Sequence, residues 1–127
     1  MRLLPLLILL GGCAASGTQS ESREQRDLAE ELAGRTAARP ERCIPANQGQ
    51  ALRIVDRQTI VYRQGSTIWV NRLDAPCSGL RPLSTLIVEV HGSQYCSGDR
   101  VRGLEPGSGI AGPSCPLRDF VPYRKPR

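Results

Sequence analysis

Apolar residues crowd the first ten positions and then thin out. Behind the single charge of Arg2 they run from Leu3 to Leu10. The run is too short to span a hydrocarbon core about 30 Å thick, which needs about 20 residues. It fits the apolar h-region of an export signal. Residues 14–21, AASGTQSE, are small and polar and make a tether. In SESREQRDLAEELAGR, apolar positions return four apart at Leu28 and Leu32, with Ala29 and Ala33 beside them. That spacing predicts a short helix. Ser22 is its cap, Gln25 the capping-box partner and Gly34 the C-terminal stop. A helix with so narrow a stripe is marginal alone, so it either docks or frays. Thr36 to Arg42, with Pro40, reads as a linker.

From Leu52 the pattern changes to short runs of β-branched and aromatic residues between turn residues. LRIVD (52–56), TIVYR (59–63) and STIWVNRL (66–73) predict three strands, with Gln64-Gly65 as a hairpin tip. APCSGLRP (75–82) is a loop. TLIVEV (85–90) is the most apolar run and predicts the central strand. Gly92-Ser93 turns the chain into QYCSGDRV (94–101), a weaker fifth strand. The tail after Arg102 is rich in Gly and Pro and predicts little regular structure. The expected fold is therefore mainly β. It is a small antiparallel meander or partly closed barrel of about five strands, stapled by two disulfides and preceded by a short helix. The chain divides into a signal peptide (1–12), an anchor, tether and helix (13–42) and a β domain (43–127).

Leu10-Gly11-Gly12-Cys13 resembles the bacterial lipobox, an aliphatic residue and two small residues before a cysteine. The resemblance implies that Cys13 is acylated and becomes the first residue of the mature chain. Each buried CH₂ contributes about 0.8 kcal/mol, and two or more chains make the attachment stable. The bland alternatives are an ordinary secretory signal cut after Ala15 or Ser16, or an uncut apolar anchor. Ala14, in place of an aspartate, resembles the outer-membrane default of enteric sorting. The expected address is the envelope of a Gram-negative bacterium, on the outer membrane facing the periplasm.

Without Cys13, four cysteines remain: Cys43, Cys77, Cys96 and Cys115. An even number in a small exported domain reads as a disulfide framework. In a five-strand meander, Cys43 and Cys96 lie at the start end of the odd strands, and Cys77 and Cys115 at the finish end. Bridges need Cα atoms within roughly 7 Å, which among the three possible pairings favours Cys43–Cys96 with Cys77–Cys115; a long excursion of the 102–114 loop would undo it. No pair has CxxC spacing and the chain has one histidine, so neither a metal site nor a cofactor is expected.

The stretch from Leu32 resembles a family of small exported bacterial proteins of unknown function. The likeness is carried by LAGR (32–35), CIP (43–45), IVDRQTIVYR (54–63), WVNRL (69–73), PCSGL (76–80), YCSGD (95–99) and SCPLRDF (114–120). It includes all four core cysteines and implies an architecture without an activity. Arg118 departs from it, glycine being usual there.

Charge narrows the partners. The chain carries 17 Lys and Arg against 12 Asp and Glu, for a net +5. Residues 14–42 hold six acids and five arginines (−1), whereas residues 43–127 hold eleven basic residues and six acids (+5). Export excludes nucleic acid and leaves anionic lipid, cell wall or an envelope protein as partners. Arg100, Arg102, Arg124, Lys125 and Arg127 are the candidate anionic contacts; the bland reading is a solvated basic surface.

One stretch, HGSQYCSGD (91–99), offers catalytic chemistry. A Cys–His hydrolase needs a thiolate, a base in reach and a group that orients the base. His91 and Cys96 flank one turn. Asp99 lies three residues beyond Cys96, which on a continuous strand puts it on the opposite face from Cys96 and away from His91. A catalytic Cys96 would also leave one of the remaining three cysteines unpaired in an oxidising compartment. The alternative is a turn that leads into a disulfide. Paired carboxylates would have to come from Asp56, Asp74, Glu89, Asp99, Glu105 and Asp119, and Glu89 in its strand more simply faces water. The sequence thus favours a non-enzymatic binding lipoprotein. An inhibitor of a lytic enzyme is the second class, and a Cys96/His91 thiol enzyme the third.

Overall fold

A computed structural model describes residues 22–46 and 51–127. The expected signal run, the lipobox-like stretch with Cys13 and the expected tether lie outside the described residues. Among the described residues the fold is mainly β, with one helix and antiparallel sheets that do not close into a barrel.

The helix α1 (Arg23–Leu32) starts as its sequence dictates. The Ser22 side chain accepts the Gln25 N–H (3.2 Å), and the Gln25 side chain accepts the Ser22 N–H (2.9 Å). Together they satisfy two of the free donors of the first turn. Gly34 follows with a left-handed φ of 73°. The helix docks: Leu28 is buried, and Gln25 Nε2 donates to Asp56 Oδ2 at 3.0 Å.

Ten strands follow. They are β1 (Thr36–Ala37), β2 (Cys43–Pro45), β3 (Arg53–Asp56), β4 (Thr59–Gln64), β5 (Thr67–Arg72), β6 (Thr85–Val88), β7 (Gln94–Cys96), β8 (Arg100–Leu104), β9 (Cys115–Pro116) and β10 (Phe120–Arg124). They form a five-stranded sheet in the order β1-β10-β5-β4-β3, a ribbon β2-β7 and a three-stranded sheet β6-β8-β9. The expected hairpin β4–β5 is present, with its tip one residue further on. Gln64 pairs with Thr67, and Gly65 and Ser66 make the turn. Gly65 has φ 58°, so the first of the two turn residues is the left-handed one, the type II′ pattern.

Successive residues of β4 and β5 face opposite ways, and both faces are covered. Ile60, Tyr62 and Trp69 join Ile44, Leu80, Val101, Leu117 and Phe120 in the main core, between the large sheet and the two small ones. Val61, Ile68 and Val70 pack with Leu28, so α1 covers the other face. Two buried faces explain why these strands read as continuous apolar runs.

Four expectations are corrected. The run 85–90 is an edge strand, not the central one; β4 and β5 hold the centre. The segment 94–101 is two strands in different sheets, split by a turn at Ser97–Asp99. The stretch read as a linker contains β1, and Glu41 exchanges two backbone bonds with Phe120, both 2.8 Å. The tail contains β10, which sits between β1 and β5.

Both expected disulfides are present, Cys43–Cys96 and Cys77–Cys115, with Cα separations of 4.1 and 6.2 Å. The first joins directly opposite residues of β2 and β7. The second ties the loop after β5 to β9. A glycine crossing supports the same loop: a Cβ on Gly103 of β8 would lie 2.2 Å from the Gly79 carbonyl oxygen. Only glycine permits that approach.

Candidate functional site

His91, Cys96 and Asp99 come together. Asp99 is 8% exposed, and its Oδ2 accepts the Cys96 backbone N–H at 2.8 Å. Its Oδ1 lies 3.5 Å from His91 Nδ1. Alternation had separated Asp99 from His91, but alternation ends where the strand ends. The Asp99 N–H bonds the Cys96 carbonyl (3.0 Å), and Gly98 has φ 93°, so the chain folds back over these residues. Cys96 is bridged to Cys43, and the His91 side chain is 85% exposed. With its sulfur bridged, Cys96 offers no thiolate. Asp99 acts here as a turn group that holds the end of β7.

Three of the other candidate carboxylates are engaged elsewhere. Asp56 accepts from Gln25 and from the Gln58 N–H. Glu89 faces outward and accepts from Arg102 Nη2 at 2.8 Å, and Asp74 pairs with Arg118 Nε at 3.1 Å. Among the described residues no group of three or more His, Cys, Asp or Glu is placed to hold a metal.

The five candidate cations stand on or after strands of two sheets. Arg100 and Arg102 stand on β8 in the three-stranded sheet; Arg124, Lys125 and Arg127 stand on or after β10 in the five-stranded sheet. Arg124 lies over the Trp69 ring at 5.5 Å.

The large exposed apolar side chains among the described residues are Leu83 (85%), Val90 (39%) and Ile110 (65%). Leu83 lies two residues before β6 and Val90 two residues after it. A groove of about 410 Å³ runs beside β6, lined by Ala51, Leu52, Leu86, Val88, Val90 and Tyr95. A second, of about 210 Å³, is lined by Arg81, Ser84, Glu105 and Ile110. Ser84 lines both, so the two grooves meet at that residue. The sequence carried two signals of this surface. Leu83 and Ile110 are isolated large apolar residues inside Pro- and Gly-rich loops, where no core is available to take them.

Tyr95 is the titrating group of this groove. Burial, and secondarily Tyr62, push its hydroxyl above the ordinary phenol range. The two rings meet edge to face at 5.6 Å. The folded chain therefore holds the Tyr95 proton after the unfolded chain has released it, at about pH 10. The stabilisation by the neutral phenol is complete below that pH and is lost as pH rises through the higher folded value. Urea midpoints taken from about pH 8 to pH 11 should fall, and Tyr95→Phe should flatten that fall. An equally steep fall in the variant would assign it to other groups.

Comparison with protein-family models finds no match, and comparisons with curated proteins and with solved structures find none.

Proposed function

We propose that this chain is a non-enzymatic lipoprotein of a Gram-negative envelope, anchored through an acylated Cys13, whose β domain binds another envelope protein. One observation carries the binding reading: two grooves meet at Ser84, one lined by exposed Val90 and the other by exposed Ile110, and exposed Leu83 directly precedes Ser84 in the chain. Apolar side chains scattered singly are ordinary, whereas a contiguous set beside grooves marks an interaction site. The lipobox sequence supplies the anchor, and two disulfides fit an oxidising compartment.

A photo-crosslinking residue placed at Leu83 or at Ile110 in whole cells should give a discrete adduct. The same residue at exposed Arg39 should not. Adducts at Arg39 alone would move the interaction off this face. Mass spectrometry of the membrane-purified chain should find residue 13 as an acylated N-terminus; a free thiol there would remove the anchor.

A further inference from the structure

The edge of β6 that faces away from β8 is unoccupied among the described residues. The ladder on its inner side fixes which groups are free. The Glu89 N–H bonds the Arg100 carbonyl at 2.9 Å, and the register continues through Val88↔Val101 and Ile87↔Arg102. In an antiparallel pair, hydrogen-bonded residues alternate along the strand. Thr85, Ile87 and Glu89 therefore point their backbone groups at β8. Leu86 and Val88 point theirs outward.

Those outward groups open on the 410 Å³ groove. Across it lie Leu52 and Tyr95, and the side chains of Leu86 and Val88 reach the main core. The gap thus offers a row of backbone donors and acceptors together with an apolar floor. An added strand satisfies both, and every second side chain of that strand faces the floor. Bare edges of this kind are normally blunted by charge, proline or a covering element. The charge of Glu89 is already taken by Arg102.

Charge defines the occupant further. Arg81 lies four residues before β6, and Arg100 stands across from Glu89 at its far end. Both are exposed and have no acidic partner among the described residues. The domain around them, residues 43–127, carries +5. That charge opposes a second copy and favours acidic flanks on the incoming segment.

We propose that the free edge of β6 is a strand-addition site for an extended apolar segment of another protein, flanked by acidic residues. The inference rests on the reading of the chain as a binding protein and names the geometry of that binding.

The test uses the full chain in detergent and the peptide acetyl-Asp-Asp-Thr-Val-Thr-Val-Thr-Val-Asp-Asp-amide. The peptide should slow amide exchange at Leu86 and Val88. Val88→Pro removes one outward N–H and leaves the β8 ladder whole, a placement that edge strands accept. It should weaken binding about tenfold. A peptide methylated on alternate amide nitrogens tests the same bonds with the protein unchanged, and it should not bind. Lysine in place of the aspartates should weaken binding about tenfold. The proposal is overturned if exchange at Leu86 and Val88 does not respond, or if the methylated peptide binds as well as its parent. It is also overturned if these amides are protected without peptide in a chain that sediments as a dimer. Crosslinks from Leu83 in cells, with a failed peptide test, would leave the binding reading standing and remove only the strand-addition geometry.

Discussion

Phe120→Ala is expected to destabilise the fold by about 3–5 kcal/mol, the usual cost of emptying a buried aromatic site. The Phe120 ring is fully buried and belongs to the main core with Tyr62, Trp69 and Leu117. Its backbone holds both neighbours: Phe120 is paired with Asn71 of β5 and exchanges two bonds with Glu41. Domains of this size are stable by only about 5–15 kcal/mol in total, so the loss takes a large share of it. Urea unfolding measures it through the midpoint at unchanged slope. Deletion of residues 125–127, which are exposed, should leave the midpoint in place. A loss below about 1 kcal/mol for Phe120→Ala would take β10 out of the core.

Why β10 was hidden in the sequence is physical. Its run FVPYR stands in a tail rich in Gly and Pro, and a proline normally argues against an inner strand. Pro122 escapes the rule by direction. Its carbonyl accepts from the Ala38 N–H (2.9 Å), so its nitrogen also faces β1, which is only two residues long. The missing donor falls where the pairing ends. Asn71 then fixes the entry to the strand, because its side chain donates to the Arg118 carbonyl (2.6 Å) and accepts the Arg118 N–H (2.9 Å). Neither effect has a local signature.

What was legible is what short-range rules govern. Ser22 and Gln25 announce the start of α1, and the runs 53–72 announce a hairpin with one further strand. The short strands β1, β2 and β9 are made by tertiary pairing, so no run of residues predicts them. Strand β6 shows the opposite failure. TLIVEV is the most apolar run, yet Glu89 and Val90 are exposed and the strand stands at an edge. High apolarity predicts burial, whereas here it accompanies an edge that is uncovered among the described residues. The pairing of the cysteines was legible although the strands form three sheets rather than one meander. The turn at Ser97–Asp99 that splits the expected fifth strand leaves Cys96 before it, opposite Cys43. The same turn is what brought Asp99 to His91 against expectation.

Removal of either disulfide is expected to cost about 4 kcal/mol on the chain-entropy model, for closed loops spanning 53 residues (Cys43–Cys96) and 38 residues (Cys77–Cys115). The surroundings divide the two. Cys77 is 1% exposed and part of the main core, so Cys77→Ala/Cys115→Ala also loses packing, and its urea midpoint should fall further. Cys43 and Cys96 are partly exposed, and the β2-β7 ribbon keeps its own backbone ladder when the bridge is gone. Cys43→Ala/Cys96→Ala should therefore remain folded at low temperature, with Asp99 still holding the residue-96 N–H. That variant also decides the chemistry of the HGSQYCSGD stretch. In the native chain, alkylation without reductant should label none of the four core cysteines. Labelling of Cys96 alone would place a free thiol beside His91 and Asp99 and restore the nucleophile reading. Full blockage, with the loss of stability in the double variant, makes Cys96 a staple whose neighbouring carboxylate serves the turn rather than a reaction.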